Sequence, residues 1–492
     1  MKLHTRGSEK SLSDYPVFVT INTKYYPVFI TNKLYFCPVF IYINMNLERK
    51  AYKKLLHWKE NPDRKPLLIR GARQVGKSTL VRQFSKEFKH YIALNLEKRE
   101  HKDLFENLDD VKDLMESLRL QFNIPKDDKP LLLFIDEIQE SPKAIQQLRY
   151  FYEELPEVNV IAAGSLLEFA LRKVPSFPVG RIEQMVLHPF DFAEFLMALN
   201  QLQALEQLNT VPVKLYAHET LMKLFHTYVI VGGMPEIINK YVKDQSLSNL
   251  GSIYEALWQG YKDDVEKYAS NDKERKVIRH VIESAPNEKD RIKFEGFGRS
   301  AYRSREVGEA LRALDLARII RLIYPAISTQ PPLTEDIKRS PRLQFLDTGL
   351  LNYALNAQSE MIGIEDFSDF YKGKIIQHLI TQELQAQYDL PSYKPHFWVR
   401  EKANSSAEVD LIYQYKKYLI PIEIKSGEQG KLRSLHQFVE QANHPYAVRL
   451  LANRYSIEKV KTPGGKSYIL LNLPYYLGSK LPEYISWFVE NN

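Results

Sequence analysis

Two short stretches of the chain hold residue types suited to phosphate and metal chemistry. The first is GARQVGKST, residues 71–79. Its glycines, lysine and hydroxyl fit the spacing G-x-x-x-x-G-K-[ST]. Gly71 and Gly76 let the backbone curl, so that the N–H groups of a loop through Ala72, Arg73, Gln74 and Val75 point inward at phosphate oxygens. Lys77 is expected to reach the β- and γ-phosphates of ATP. Ser78 is expected to ligate Mg²⁺, with Thr79 behind it, and the helix N-terminus adds partial positive charge.

The second stretch is AEVDLIYQYKKYLIPIEIKS, residues 407–426. Side chains alternate across a strand, so Glu408 and Asp410 share a face, as do Glu423 and Lys425. Ile420, Ile422 and Ile424 share the other face. A hairpin through YKK sets the polar faces side by side. One Mg²⁺ then fits between Asp410, Glu423 and the Ile424 carbonyl, because hard oxygen ligands suit that ion. Lys425 would stand beside the metal-bound water. Glu383, on the amphipathic stretch GKIIQHLITQELQAQ (373–387), is a candidate for a further carboxylate. The competing reading is an ordinary solvated strand pair, with cross-strand ion pairs worth about a few tenths of a kcal/mol.

The phosphate loop needs a strand before it and a helix after it. PLLIR (66–70) reads as a buried strand, and STLVRQFSKEF places Leu80, Val81, Phe84 and Phe88 at helical spacing. KPLLLFIDEIQES (129–141) is an apolar run suited to a central parallel strand. It ends in Asp136, placed to hold Mg²⁺ through water, and Glu137, placed to polarise the attacking water. VNVIAAGSLLEF (158–169) reads as a third strand ending at Ser165. FPVGRIEQMVLHPFDFAEFL (177–196) supplies Arg181. That arginine either senses the γ-phosphate, in its own subunit or a neighbour's, or pairs on the surface.

In their order, these pieces resemble AAA-type ATPases of the additional-strand class. GARQVGKSTL, FIDEIQ, AAGS, VGRIEQMVLHPFDFAEF and the later VGGMPEII together resemble a prokaryotic group that joins such an ATPase to a C-terminal domain called DUF4143. The resemblance implies five parallel strands with helices on both faces, followed by a helical region. In ATPases of that layout, a polar side chain at the place of Ser165 contacts the water or the γ-phosphate. The hairpin at 407–426 resembles the PD-(D/E)xK nuclease core, with KLRSLHQFVEQ (431–441) as its downstream helix. It departs from that pattern in having no proline directly before Asp410.

Between the two halves, ERKVIRHVIESAPNE and SREVGEALRALDLARIIRLIYP suggest helices followed by a strand, as in a winged helix. Ser304 is the expected N-cap of the second helix. Arg291, Lys293, Arg299, Arg303, Arg305 and Arg312 make this segment basic. They serve either phosphate contact with DNA or a solvated packing surface. SPRLQFLDTGLLNYAL (340–355) recurs in the DUF4143 group, and Asp347 in it reads as structural.

At 492 residues, the chain is too long for one core. A net charge of +7 permits nucleic acid as a partner without arguing for it. The single cysteine, Cys37, excludes a disulfide framework within the chain and fits a cytoplasmic location. No stretch is long and apolar enough for a membrane span, so no membrane partner is expected. YPVFVTINTKY, YPVFITNKLYF and CPVFIYINMNL repeat with a period of eleven before Met45. This is either a mis-called extension, with translation starting at Met45, or a flexible β-prone arm.

The expected organisation is an extension (1–44), a P-loop AAA+ ATPase domain with a doubly wound parallel sheet (45–198) and a helical region (199–275). A winged-helix-like segment (276–335), a PD-(D/E)xK-like α/β part (336–475) and a tail (476–492) complete it. The expected activity is Mg²⁺-dependent ATP hydrolysis. It is coupled either to a nuclease-like domain acting on nucleic acid or to a binding module whose nuclease-like site is dead. A homo-oligomer is compatible with both.

Overall fold

The computed structural model describes residues 17–21, 24–28, 47–165, 167, 177–266, 269, 271–288, 290–358, 374–402, 405–425 and 432–492. Most of the 1–44 extension lies outside these, as do Gly373 and Lys431, the expected first residues of two helices. What is described of the extension is an antiparallel ribbon, β1 (Val17–Ile21) against β2 (Lys24–Val28). It belongs to a unit of its own, and Asn46–Asn492 form the other.

The larger unit contains a five-stranded parallel sheet. Its strands are β3 (Leu67–Arg70), β4 (His90–Asn95), β5 (Leu131–Asp136), β6 (Asn159–Gly164) and β7 (Glu183–Val186). They lie in the order β4-β5-β6-β3-β7. β6 therefore stands between the strand that feeds the glycine loop and the strand that ends in Asp136, which is the additional-strand layout. Both faces are covered, and alternate residues sort into two cores. Leu68, Leu133, Ile135, Val160 and Ala162 pack on one side. Leu67, Ile69, Leu132, Phe134, Ile161 and Ala163 pack on the other. Continuous apolar runs are what a sheet buried on both faces demands.

Helices Phe192–Ala198, Leu202–Leu208, His218–Val231, Pro235–Asp244 and Gly251–Glu266 follow. Next come helices Asp272–Ser284 and Ser304–Leu316, then β8 (Ile320–Ile323), β9 (Pro325–Ala326) and β10 (Arg342–Phe345). Arg303 rather than Ser304 occupies the N-cap position of the second helix. β8 and β10 pair antiparallel. The connection between them, which would form a free wing, is anchored: β9 pairs with the second sheet.

That second sheet is mixed. It comprises β9, β11 (His396–Lys402), β12 (Ser405–Tyr415), β13 (Tyr418–Ile424), β14 (Tyr446–Leu451), β15 (Ser456–Lys461) and β16 (Ser467–Pro474). The order is β15-β16-β14-β13-β12-β11-β9. β12 and β13 form the expected hairpin, with Tyr415 opposite Tyr418. One core joins Ile420, Ile422, Ile424, Val448, Leu450 and Leu471 of this sheet to Phe225, Tyr228, Ile237 and Tyr254 of the helical region.

The expected tail at 476–492 is corrected. Helix Leu481–Asn491 buries Leu481, Tyr484, Ile485 and Phe488 in that same core, and Tyr484 Oη accepts from the Val213 amide at 2.7 Å. Spacing of i, i+3, i+4 and i+7 makes one apolar stripe that must be covered.

Candidate functional site

β3 ends at Arg70, and the chain turns at Gly71, φ 155°. A Cβ there would collide with the Leu187 carbonyl oxygen, so the turn past the end of β7 requires glycine. Gln74 (φ 62°) and Gly76 (φ 95°) are left-handed and curl the loop. Helix Lys77–Phe84 starts directly after it.

Lys77 is 6% exposed, and its Nζ donates to the carbonyl oxygens of Gly71 (3.1 Å) and Ala72 (2.9 Å). Both acceptors are neutral, so the loop does not cancel the charge. Burial lowers the Lys77 pKa to about 8, against the opposing pull of Glu137 and Asp136. Ser78 Oγ donates to Asp136 Oδ2 at 2.6 Å, which joins the helix to the end of β5. Burial raises the pKa of Asp136, and the Ser78 bond opposes that rise. Two hard oxygens at one spot, beside an uncancelled ammonium, suit Mg²⁺ and a polyphosphate.

Glu137 is left-handed (φ 51°, ψ 45°), which costs a non-glycine residue roughly 1–2 kcal/mol. Strain of this kind is held in place by surrounding contacts. The Glu137 amide donates to Asp136 Oδ1 at 3.1 Å. Its Oε2 accepts from Gln139 Nε2 (2.6 Å) and Ser165 Oγ (3.4 Å). The structure thus gathers Lys77, Ser78, Asp136, Glu137 and Ser165 around the loop.

Two arginines hold the loop from outside the sheet. Arg49 donates to the carbonyls of Val75 (3.0 Å) and His188 (2.7 Å) and to Glu194 (3.1 Å). Sequence reasoning missed it, since nothing in LERK marks a residue that closes on position 75. Arg73, expected among the nucleotide contacts, forms ion pairs with Asp264 and, at 3.5 Å, with Glu97. Tyr261 Oη donates to the Arg73 carbonyl at 2.8 Å. Both Tyr261 and Asp264 lie on helix Gly251–Glu266, so that helix ties down the loop's tip.

Arg181 lies at the far edge of the sheet. Glu183 pairs with Leu67 and Val186 with Arg70, so Arg181, two residues before β7, lies beyond the end of the strand opposite the loop. It is bonded to Glu153 at 2.8 Å. That ion pair, rather than a contact with the loop, is what its side chain makes.

In the second sheet, a β-bulge interrupts the pairing of β12 with β11 at Asp410–Leu411: His396 faces Ile412 while Trp398 faces Val409. Bulges re-aim side chains, and Asp410 turns into a ring of donors. Gln377 Nε2 donates to its Oδ1 (3.0 Å) and the Ile424 amide to its Oδ2 (2.8 Å). Arg342 stands 3.6 Å from Oδ1 and donates to the Asp410 carbonyl at 3.0 Å. Arg342 also forms an ion pair with Glu408, and Arg291 reaches Glu408 at 3.1 Å. Lys425 pairs with Glu423. Burial lifts the Glu423 pKa to about 7, and the neighbouring Asp410 charge adds to this. Asp410, Glu423 and Lys425 are therefore together, but each carboxylate already faces a cation or amide of the chain. Among the described residues, no group of three or more His, Cys, Asp or Glu is arranged to hold a metal ion.

Glu383 is corrected outright. It is fully buried about 9 Å along its helix from Gln377. Its oxygens accept from the Phe192 amide (3.2 and 3.1 Å) and from Tyr228 Oη (2.7 Å). It caps a helix of the first half rather than serving the hairpin, and burial pushes its pKa to about 8. Nearby, Gln387 bonds Asp191 at 3.1 Å, and Lys50 pairs with Asp191. Asp347 is structural, as expected. It accepts from the amides of Gly233 (2.5 Å) and Leu350 (3.0 Å), which locks LDTGLL onto VGGMPE.

Residues 63–196 match the family model described as AAA domain. Residues 222–361 match a domain of unknown function, DUF8612, and residues 372–475 match another, DUF4143. The chain therefore carries an AAA domain of P-loop type followed, at its C-terminal end, by DUF4143. No curated protein matches it. Among solved structures it is similar to the Walker-type ATPase PABY2304 of Pyrococcus abyssi, at 15% identity and TM-score 0.41, over 63% of this chain and 96% of that one. It is also similar to the Aeropyrum pernix ORC1 protein in complex with DNA, at 13% identity and TM-score 0.28, over 64% and 91%. At such scores the likeness adds nothing to the sheet order described above.

Proposed function

We propose that the chain hydrolyses ATP with Mg²⁺ and that its C-terminal half is an ATP-switched nucleic-acid-binding module with a closed nuclease-like centre. The observation that carries the first part is the convergence of Lys77, Ser78, Asp136 and Glu137 at one end of one sheet. The loop amides and Lys77 bind the phosphates, and Ser78 and Asp136 hold Mg²⁺, which neutralises charge on the phosphate oxygens. Glu137 accepts a proton from the attacking water, and Ser165 steadies that carboxylate. Arg181, paired with Glu153 in this chain, is better placed to meet the γ-phosphate of a second copy than its own.

The second part rests on the partners of Asp410, Glu408 and Glu423. A cleaving nuclease, the other reading, needs Arg342 and Gln377 to withdraw from Asp410. Nucleic acid is supported by Lys293, Arg299, Arg303, Arg305 and Arg312, all exposed on or beside helix Ser304–Leu316. ATP can shift the module only through contacts that differ between two states. The loop's ties to Arg49 and to helix Gly251–Glu266 supply a physical route.

ATP turnover by wild type and Glu137→Gln, with and without duplex DNA, tests the proposal. Glu137→Gln is expected to bind ATP and to lose about 10²–10⁴ in rate. Hydrolysis by Glu137→Gln at the wild-type rate defeats the assignment. DNA binding without a steep fall in affinity as salt rises removes the nucleic-acid part.

A further inference from the structure

Gln139 belongs to none of the roles above, yet its amide makes the shorter of the two side-chain bonds to the Glu137 carboxylate. We infer that Gln139 is a positioning residue for ATP hydrolysis, which holds the Glu137 carboxylate in the orientation that activates water. The inference rests on the proposed ATPase activity and deepens it.

Three observations support it independently of motif. First, Glu137 is left-handed, so its side chain leaves the backbone in a direction that ordinary strand geometry does not fix. Something other than the backbone must aim it, and Gln139 Nε2 bonds its Oε2 at 2.6 Å.

Second, the neighbouring strand leaves room for this amide. A Cβ built on Gly164 would lie 2.6 Å from Gln139 Oε1, while the other atoms near it stay at 3.6 Å. Gly164 has no left-handed φ to explain its residue type. Its missing side chain is the space that Gln139 fills.

Third, Gln139 Oε1 is buried and has no hydrogen-bond partner among the described residues. A merely structural glutamine would satisfy both ends of its amide. Here the nitrogen serves Glu137 and the oxygen is left over. The amide orientation is thus dictated by the carboxylate.

The test compares steady-state ATP hydrolysis and Mg-ATP binding across wild type, Glu137→Gln, Gln139→Leu, Gly164→Ala and two double variants. Gln139→Leu is expected to lower kcat by about ten- to a hundredfold, the scale of misplacing a reacting group by about an ångström. KM and the Kd for Mg-ATP should stay within about threefold of wild type. Gly164→Ala, which displaces the amide from the other side, should lower kcat in the same way. The Gly164→Ala/Gln139→Leu pair should be no worse than the slower single variant.

In the Glu137→Gln background, Gln139→Leu should change the residual rate by less than about twofold, because its effect runs through Glu137. A purely structural glutamine predicts additive losses and weakened binding instead, and either result overturns the inference. So does a Gln139→Leu kcat within twofold of wild type, alongside an impaired Glu137→Gln. That outcome leaves the ATPase reading standing. An inactive wild type, or a Glu137→Gln variant at full rate, defeats the ATPase reading and the inference together.

Discussion

The chain contains two sets of lysine and paired carboxylates, and they differ in how their charge is balanced. At the glycine loop, Lys77 rests on two neutral carbonyls, and Asp136 is met by a hydroxyl and an amide. At the hairpin, Lys425 lies on Glu423, and Arg342 and Arg291 reach the acids of β12. The first set keeps its charge available for an anion and a cation from solution. The second has met most of its charge internally, with Glu423 Oε2 left buried and without a hydrogen-bond partner among the described residues. The residue types are alike in both, so it is the partners of each side chain that separate a poised site from a closed one.

The contrast can be broken or sharpened by measurement. Lys77→Ala should weaken ATP binding about a hundredfold, the worth of one or two charge-assisted hydrogen bonds. Calorimetric affinity unchanged by this substitution would mean that the loop does not use its lysine. Arg342→Ala should destabilise the fold by about 2–3 kcal/mol, at or below the range for breaking a buried pair because Glu408 is 30% exposed. Denaturant unfolding reads this, and Mn²⁺ titration asks whether the freed acids now take a metal. Mn²⁺ binding at Asp410 in the wild type, or DNA cleavage lost in Asp410→Ala, would erase the contrast.

Glu383→Ala should cost about 2 kcal/mol by orphaning the Phe192 amide and removing one partner of Tyr228, which keeps the Phe190 carbonyl, while Glu383→Gln should stay within about 1 kcal/mol. The folded Glu383 pKa, about 8, lies above that of an ordinary glutamate. The native state therefore holds an extra proton between roughly pH 4.5 and 8. Stability should fall as pH rises through that window and level off above it. Glu383→Gln should remove this slope, and an identical pH profile for both proteins would show that Glu383 is ionised at neutral pH. The smallest effect concerns Lys77, whose charge is lost as pH rises through about 8. ATP affinity should drop about tenfold between pH 7 and pH 9, and a flat profile contradicts the burial of this amine.

The glycine loop was legible because its chemistry is local. Strand, turn and helix lie within about twenty residues, and Gly71 and Gly76 are needed for reasons of backbone alone. The alternation of β13 was legible for the same reason. Arg49, Arg342 and Gln377 were not, since each meets its partner across 26 to 68 positions or more, and no local pattern records a pairing at that range. Glu383 misled because its helix presents two polar faces, one to the hairpin and one to Phe192. Leu481, Tyr484, Ile485 and Phe488 are a different case. Their spacing is legible in the sequence and marks the chain end as a packed helix rather than a tail.

The capping of Phe192 by Glu383, whose pKa burial pushes up to about 8, gives the joint between the halves an unusual electrical character. Burial favours the uncharged form of this contact and shuts it away from counterions. The ion pairs of Glu401 with Arg291 and Arg339 are half-exposed, so mobile ions screen them within about a nanometre. Brine should therefore loosen the rim of the molecule well before this buried contact, and alkali should act in the opposite order.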